Sequence, residues 1–224
     1  MTTKAILFDM DGVLFNSMPY HAKCWEQVCQ AEGLDLTAQE AYLHEGRTAK
    51  GTIDLLTQRK WHRDATPEEV ERIYEAKCKL FNALPEAPTI EGADLVLAAA
   101  KRAGLIITLV TGSGQKSLLE RLNKAYPHCF VPERMVTSDD VRHGKPHPEP
   151  YLMGLAKSGV NAEEAIVVEN APLGVEAAVA AGIRTIAVNT GPLPEKALLD
   201  AGASQVFPSM TAFAQQFDEI VGRK

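Results

Sequence analysis

The sequence predicts an α/β fold, a doubly wound parallel sheet interrupted near its start by an all-helical insert. Three observations carry this. Residues 5–8 form a short apolar run that stops at Asp9-Met10-Asp11-Gly12; residues 16–86 show helical periodicity with no convincing strand; and from Pro88 onward strands and helices alternate. Short apolar runs bounded by turn residues are buried strands, and strict strand–helix alternation gives a parallel sheet covered on both faces. The expected division is a core of residues 1–15 and 88–224 around a helical cap of residues 16–87.

Taken in order, the insert has helical periodicity over 21–32, 38–43, 49–59 and 67–84. Thr66, before Pro67 and Glu69, has the composition of a helix start with proline in the first turn. Beyond Pro88, a helix over 92–103 is stopped by Gly104, and a strand over 105–110 ends in Thr111-Gly112-Ser113-Gly114. A helix over 115–125, a short strand near 135–137 and a helix over 149–157 follow. The strand 165–168 ends in Glu169-Asn170. Pro172 then opens an alanine-rich helix that Gly182 closes. Strands at 185–188 and 205–207 and a final helix from Thr211 complete the chain. The alanines of 177–181 suit close helix–sheet packing, and Trp25 and Trp61 suit packing within the insert.

Composition narrows the function. The 224 residues are 46% hydrophobic and 23% charged, ordinary for a globular protein with a proper core. The net charge is −6 and no Lys/Arg stripe stands out, which argues against a nucleic-acid partner. No apolar run approaches a membrane span and no signal peptide precedes the first strand. A cytoplasmic monomer is expected. Cys24, Cys29, Cys78 and Cys129 lack paired metal-ligand spacing and suit reduced thiols. The six histidines include no HExxH and no tight cluster, so no zinc site is expected.

The chemistry gathers at strand ends. In an open α/β sheet, ligands bind beyond the carboxyl ends of the strands. Asp9 and Asp11 follow the first strand and repel each other, so they call for a cation or a shared proton. Thr111-Gly112-Ser113 supplies hydroxyl and backbone N–H donors, and Glu169-Asn170 supplies further oxygens. Lys145 lies in a Gly-Lys-Pro-His-Pro-Glu-Pro segment whose prolines restrict the loop. A nucleophile, donors, a fixed cation and a metal site are the parts phosphoryl transfer requires.

These segments, Asp9-Met-Asp-Gly-Val-Leu, Thr111, Lys145-Pro146 and Glu169-Asn-Ala-Pro-Leu-Gly-Val-Glu-Ala-Ala, resemble the four ordered motifs of the haloacid dehalogenase superfamily. The subgroup resembled is that of β-phosphoglucomutase and small phosphatases. The resemblance implies that Asp9 attacks phosphorus and forms an aspartyl-phosphate. Asp11 would protonate the leaving group and then activate water. Mg2+ would sit on Asp9, the Met10 carbonyl and Asn170, with Asp11 and Glu169 beside it. Thr111, Gly112 and Ser113 would hold the transferring group while Lys145 offsets its charge, and Glu169 would orient Lys145 or the metal's waters.

Two departures from the family pattern bear on the substrate. Asn170 stands where the family usually has Asp, which keeps an oxygen but removes a charge. Glu45, in the insert's loop Leu43-His-Glu-Gly-Arg-Thr48, stands where the sugar-phosphate mutases carry lysine. A carboxylate facing a phosphate is repelled unless a metal lies between them, so Glu45 is expected to be a further Mg2+ ligand. Gly114 and Gln115 replace the Lys and Asn that hold sugars in the mutases. Together with Asn-Ser-Met-Pro-Tyr-His, these features are similar to the inorganic pyrophosphatases of the subgroup, with His21, Arg47 and Lys77 as candidates for binding the leaving phosphate. The alternative is a β-phosphoglucomutase or a sugar-phosphate phosphatase. Gly112-Ser-Gly-Gln-Lys-Ser is not a P-loop, because Gln115 takes the glycine position, and no GxGxxG is present.

Overall fold

The computed structural model describes residues 2–114 and 118–222. The first strand, β1 (Ala5–Phe8), leads into four helices, α1 (Met18–Ala31), α2 (Ala38–Leu43), α3 (Ala49–Trp61) and α4 (Pro67–Asn82). Then α5 (Ala93–Arg102), β2 (Ile106–Val110), α6 (Leu118–Ala125), β3 (Met135–Val136), α7 (Glu149–Ser158), β4 (Ala165–Glu169), α8 (Pro172–Ala180) and β5 (Arg184–Val188) alternate. The chain closes with α9 (Glu195–Asp200), β6 (Gln205–Phe207), α10 (Met210–Gln215) and α11 (Phe217–Ile220). All six strands are parallel in the order β3-β2-β1-β4-β5-β6. No described helix is long and apolar enough to cross a membrane.

β1 is central and wholly buried. Its side chains alternate between the two faces, as a pleated strand requires. Ile6 and Phe8 join the core under α5, α10 and α11, whereas Ala5 and Leu7 join the one under α7 and α8. Ala177 and Ala178 are fully buried on this second face, in line with the close packing expected of the alanine run. The helical region has its own smaller core, centred on Val28, Leu34, Ile53, Leu56 and Ile73. Its entry and exit run side by side, with Asn16 N donating to Pro88 O (2.8 Å) and Ile90 N to Leu14 O (2.9 Å).

Local chemistry explains most element boundaries. Thr66 and Glu69 form a reciprocal capping box at the start of α4, with Pro67 in the first turn. Gly104 ends α5 with a left-handed backbone (φ 63°) that glycine adopts at little cost. Differences from expectation are local. The final helix is split at Gln216 into α10 and α11. α9 is an additional short helix, and the expected helix start at Gln115 lies outside the described residues.

Candidate active site

Parallel pairing brings the ends of β2, β1 and β4 together, and with them Thr111, Asp9 and Glu169. Lys145 reaches this edge from the loop before α7. Its ammonium donates to Asp9 Oδ1 (2.5 Å), Glu169 Oε1 (2.6 Å) and the Val110 carbonyl (3.2 Å), so all three donors are engaged. Burial opposes the lysine's charge, but the two carboxylates outweigh it and raise its pKa. Asp9 Oδ2 accepts no hydrogen bond among the described residues.

Glu169 is used completely. Oε1 also accepts from Tyr151 Oη (2.7 Å), and Oε2 accepts from the N–H groups of Asn170 (3.0 Å) and Ala171 (3.2 Å). Gly174 leaves room for it, since a Cβ there would lie 1.8 Å from Glu169 Oε1. With its acceptor sites occupied, Glu169 has no lone pair left for a metal; of the two roles expected of it, orienting Lys145 or the metal's waters, its bonds fit the first. The expected place of the Met10 carbonyl is corrected. It accepts from the N–H groups of Leu14 (2.8 Å), Phe15 (3.1 Å) and Val13 (3.3 Å) and is turned into its own loop. The Asp11 carbonyl, one residue on, accepts no hydrogen bond among the described residues.

Asp11 is held from the helical region. Oδ1 accepts from Ser17 Oγ and lies 3.4 Å from His21 Nε2, while His21 Nδ1 lies 2.8 Å from Lys77 Nζ. The lysine has only protons to offer, so His21 Nδ1 accepts and Nε2 carries the hydrogen toward Asp11. Burial pushes Asp11 up, but His21, Ser17 and Lys77 outweigh it and hold the carboxyl at about 2. Burial lowers both His21 and Lys77. Phe81 stacks on His21 at 4.2 Å, and Lys77 Nζ lies 4.9 Å from that ring and 5.8 Å from Trp25. Trp25 therefore packs in the helical core and also lines the cavity.

Glu45 reaches the same centre from the loop between α2 and α3. It is buried and its Oε1 accepts from Asn170 Nδ2 (2.9 Å). Burial and the neighbouring Asp9 push its pKa well up. The loop is seated by glycines: a Cβ on Gly46 (φ 88°) would meet Lys145 Cδ at 2.8 Å, and one on Gly112 would meet the Gly46 carbonyl at 3.2 Å. A cavity of about 80 Å3 remains, lined by Asp9, Asp11, Glu45, Arg47, Lys77 and Ser113 among others. Arg47 Nε is buried without a hydrogen-bond partner among the described residues. Thr111 is buried beside the cavity, its Oγ1 accepting from Ser113 N (3.1 Å).

The donor set suits a hard divalent cation. Four carboxylates (Asp9, Asp11, Glu45 and Glu169) are clustered here while Lys145 bonds only Asp9 and Glu169, and burial, Glu169 and Asp11 push Asp9 up to about 8 against the pull of the lysine. Asn170 Oδ1 is buried with no partner among the described residues, while its Nδ2 is spent on Glu45. Gly12 lets this amide in, since a Cβ there would lie 2.1 Å from Asn170 Nδ2. Excess buried negative charge and an orphaned oxygen are what Mg2+, an oxygen-seeking cation, would resolve. Sequence reasoning did not single out Ser17 and Tyr151, although each lies a few residues beyond a motif residue, Asp11 and Lys145 respectively.

A six-stranded parallel sheet with a carboxylate–lysine cluster at its strand ends, under a helical cap region, defines a phosphohydrolase of the haloacid dehalogenase type. The family model for haloacid dehalogenase-like hydrolases matches residues 6–188, and the chain belongs to that family. The family is generally Mg2+-dependent. The chain is 32% identical over 206 residues to the phosphorylated carbohydrates phosphatase of Thermotoga maritima, covering 89% of this chain and 92% of that protein. It is also 32% identical over 191 residues to hexitol phosphatase A of Escherichia coli, covering 84% of each. A candidate beta-phosphoglucomutase from Bacteroides vulgatus has a solved structure that superposes with a TM-score of 0.95 at 51% identity, covering 99% of this chain and 89% of that one.

Proposed function

We propose that this phosphohydrolase is a Mg2+-dependent inorganic pyrophosphatase working through an aspartyl-phosphate on Asp9. The observation that supports the reading most is Glu45, a buried carboxylate from the helical region bonded to Asn170 at the proposed metal site. Asp9, Asn170, Glu45 and the Asp11 carbonyl would hold Mg2+. The ion would neutralise phosphate oxygens and let a carboxylate face an anionic substrate.

In the first step, Asp9 Oδ2 attacks phosphorus and the bond to the bridging oxygen breaks, so phosphate leaves and Asp9 carries the other phosphoryl group. In the second, water attacks that phosphorus, Asp11 takes its proton, and Asp9 is released. Lys145 holds Asp9 in place and offsets developing charge, while Thr111, Gly112 and Ser113 donate to the transferring group. Arg47, whose buried Nε has no partner among the described residues, and the His21–Lys77 pair would bind the leaving phosphate. A phosphate leaves as a stable anion, so this departure asks less of Asp11 as an acid than that of a sugar alkoxide would.

Size and handholds support the same choice. The cavity of about 80 Å3 is well below the roughly 300–1,000 Å3 of sites for drug-sized ligands. Gly114 approaches Ser138 so closely that a Cβ would lie 2.6 Å from its Oγ, so no longer side chain reaches a sugar from that position.

The named relatives favour the second reading, a sugar-phosphate phosphatase or β-phosphoglucomutase, since they act on phosphorylated carbohydrates and hexitol phosphates or bear the mutase's name. Phosphate release from pyrophosphate and from hexose and hexitol phosphates, at matched concentrations with Mg2+, separates the two. A rate on pyrophosphate far above the others supports the first reading. Comparable or faster release from a sugar phosphate, or conversion of β-glucose 1-phosphate to the 6-phosphate, assigns the site to the second.

A further inference from the structure

Outside the strand-end cluster, a second set of metal-donor side chains comes together where the sequence showed no histidine cluster. One ligand atom from each of His143, His147 and Glu149 lies within 4.8 Å of the others. His143 Nδ1 is 2.9 Å and His147 Nδ1 3.9 Å from the same oxygen, Glu149 Oε2. The two imidazole centroids are 4.7 Å apart. Donors bound tetrahedrally at about 2.0–2.1 Å stand roughly 3.3 Å from one another, between the two spacings observed. Binding an ion would replace the His143 Nδ1–Glu149 Oε2 and Glu149 N–His147 Nδ1 hydrogen bonds with bonds to the metal.

The loop is already fixed around these donors. Glu149 Oε1 accepts from Arg142 N (2.9 Å), and Oε2 accepts from His143 N (3.0 Å). Glu149 N donates to His147 Nδ1 (3.1 Å). Pro146 and Pro148 restrict the backbone on both sides of His147. The side chains of His143 and His147 are 64% and 51% exposed, whereas Lys145, between them in sequence, is buried. The loop thus turns its lysine inward to the phosphoryl-transfer site and its imidazoles outward to solvent.

We propose that His143, His147 and Glu149 form a surface site for a borderline divalent transition metal of the Zn2+ class, with water completing the coordination. Two imidazoles and one carboxylate select such an ion, whereas the oxygen-only centre at Asp9 and Asn170 selects Mg2+. The ion ties residue 143 to residues 147 and 149 across the segment that presents Lys145. The loop therefore carries two chemistries on opposite sides.

The test uses the full-length protein in excess Mg2+, titrated with Zn2+ against a chromophoric chelator and separately with Co2+ read by visible absorption. The expected result is one Zn2+ per chain, and a Co2+ spectrum of tetrahedral type. His143→Ala and His147→Gln should each weaken Zn2+ binding by at least about tenfold and abolish that spectrum. Both positions are exposed, and glutamine retains an acceptor for Glu149 N, so both variants should keep the parent's thermal midpoint in Mg2+. Unchanged Zn2+ affinity in the two variants, or a six-coordinate Co2+ spectrum, would overturn the proposal. So would loss of the Zn2+ site in Asp9→Asn, which would assign the ion to the carboxylate centre. The outcome is independent of which phosphate compound the enzyme prefers.

Discussion

The sheet edge and the helical region meet at one cavity but hold their functional groups differently. At the sheet edge, Asp9, Thr111 and Glu169 are ends of adjacent buried strands, and their side chains are locked to Lys145, Tyr151 and backbone N–H groups. In the helical region, Glu45 and Arg47 come from a loop and His21 and Lys77 from helix interiors, over a smaller core. One side is rigid by construction. The other is placed by how two packed units meet. The contrast suggests that reaction type resides in the sheet and substrate choice in the helices.

The largest effect should come from the sheet side. Asp9→Asn removes the proposed nucleophile and should lower turnover on the order of 10^4-fold or more, measured by phosphate release. Retention of substantial activity would take the nucleophile's role away from Asp9. Glu169→Ala should cost both activity and stability. It leaves Lys145 buried with one carboxylate and strands Tyr151 and two N–H groups, a loss of about 3–5 kcal/mol by denaturant unfolding.

Glu45→Ala should behave oppositely. Its removal should raise the Mg2+ concentration needed for half-maximal activity by about tenfold or more while leaving the unfolding midpoint nearly unchanged. A variant with unaltered Mg2+ demand would detach the helical region from the metal. The smallest effect is expected from Thr66→Ala, which breaks the capping box of α4. It should cost about 1 kcal/mol of stability and leave kcat and KM on the parent values. A kinetic change there would mean that α4 reports to the site more directly than the comparison allows.

The same contrast explains what could be seen in the sequence. Strand ends were legible because a parallel sheet delivers the carboxyl end of every strand to one edge, so Asp9, Thr111 and Glu169-Asn170 could be grouped without coordinates. Thr66-Pro67 and Gly104 marked their helix ends by local chemistry alone. That the Met10 carbonyl turns away from the site, and which of its two roles Glu169 takes, is not legible because occupancy decides both. A carbonyl already holding three N–H groups, and a carboxylate holding four donors, look in sequence like free ones. The partnership of His143, His147 and Glu149 was hidden for a related reason, since it depends on how a proline-rich loop folds back. α9 was missed because Pro194 precedes it without a side-chain cap and it is only six residues long.

The saturation of Glu169 has a consequence for the rate itself. A charged group that must swing into place during a reaction adds the cost of rearranging its surroundings to the barrier. Here the Lys145 ammonium is pinned by Asp9, Glu169 and the Val110 carbonyl, and Glu169 is pinned in turn by α7 and the start of α8. The cost of orienting that charge was met when the chain folded. Little reorganisation is left for the chemical step.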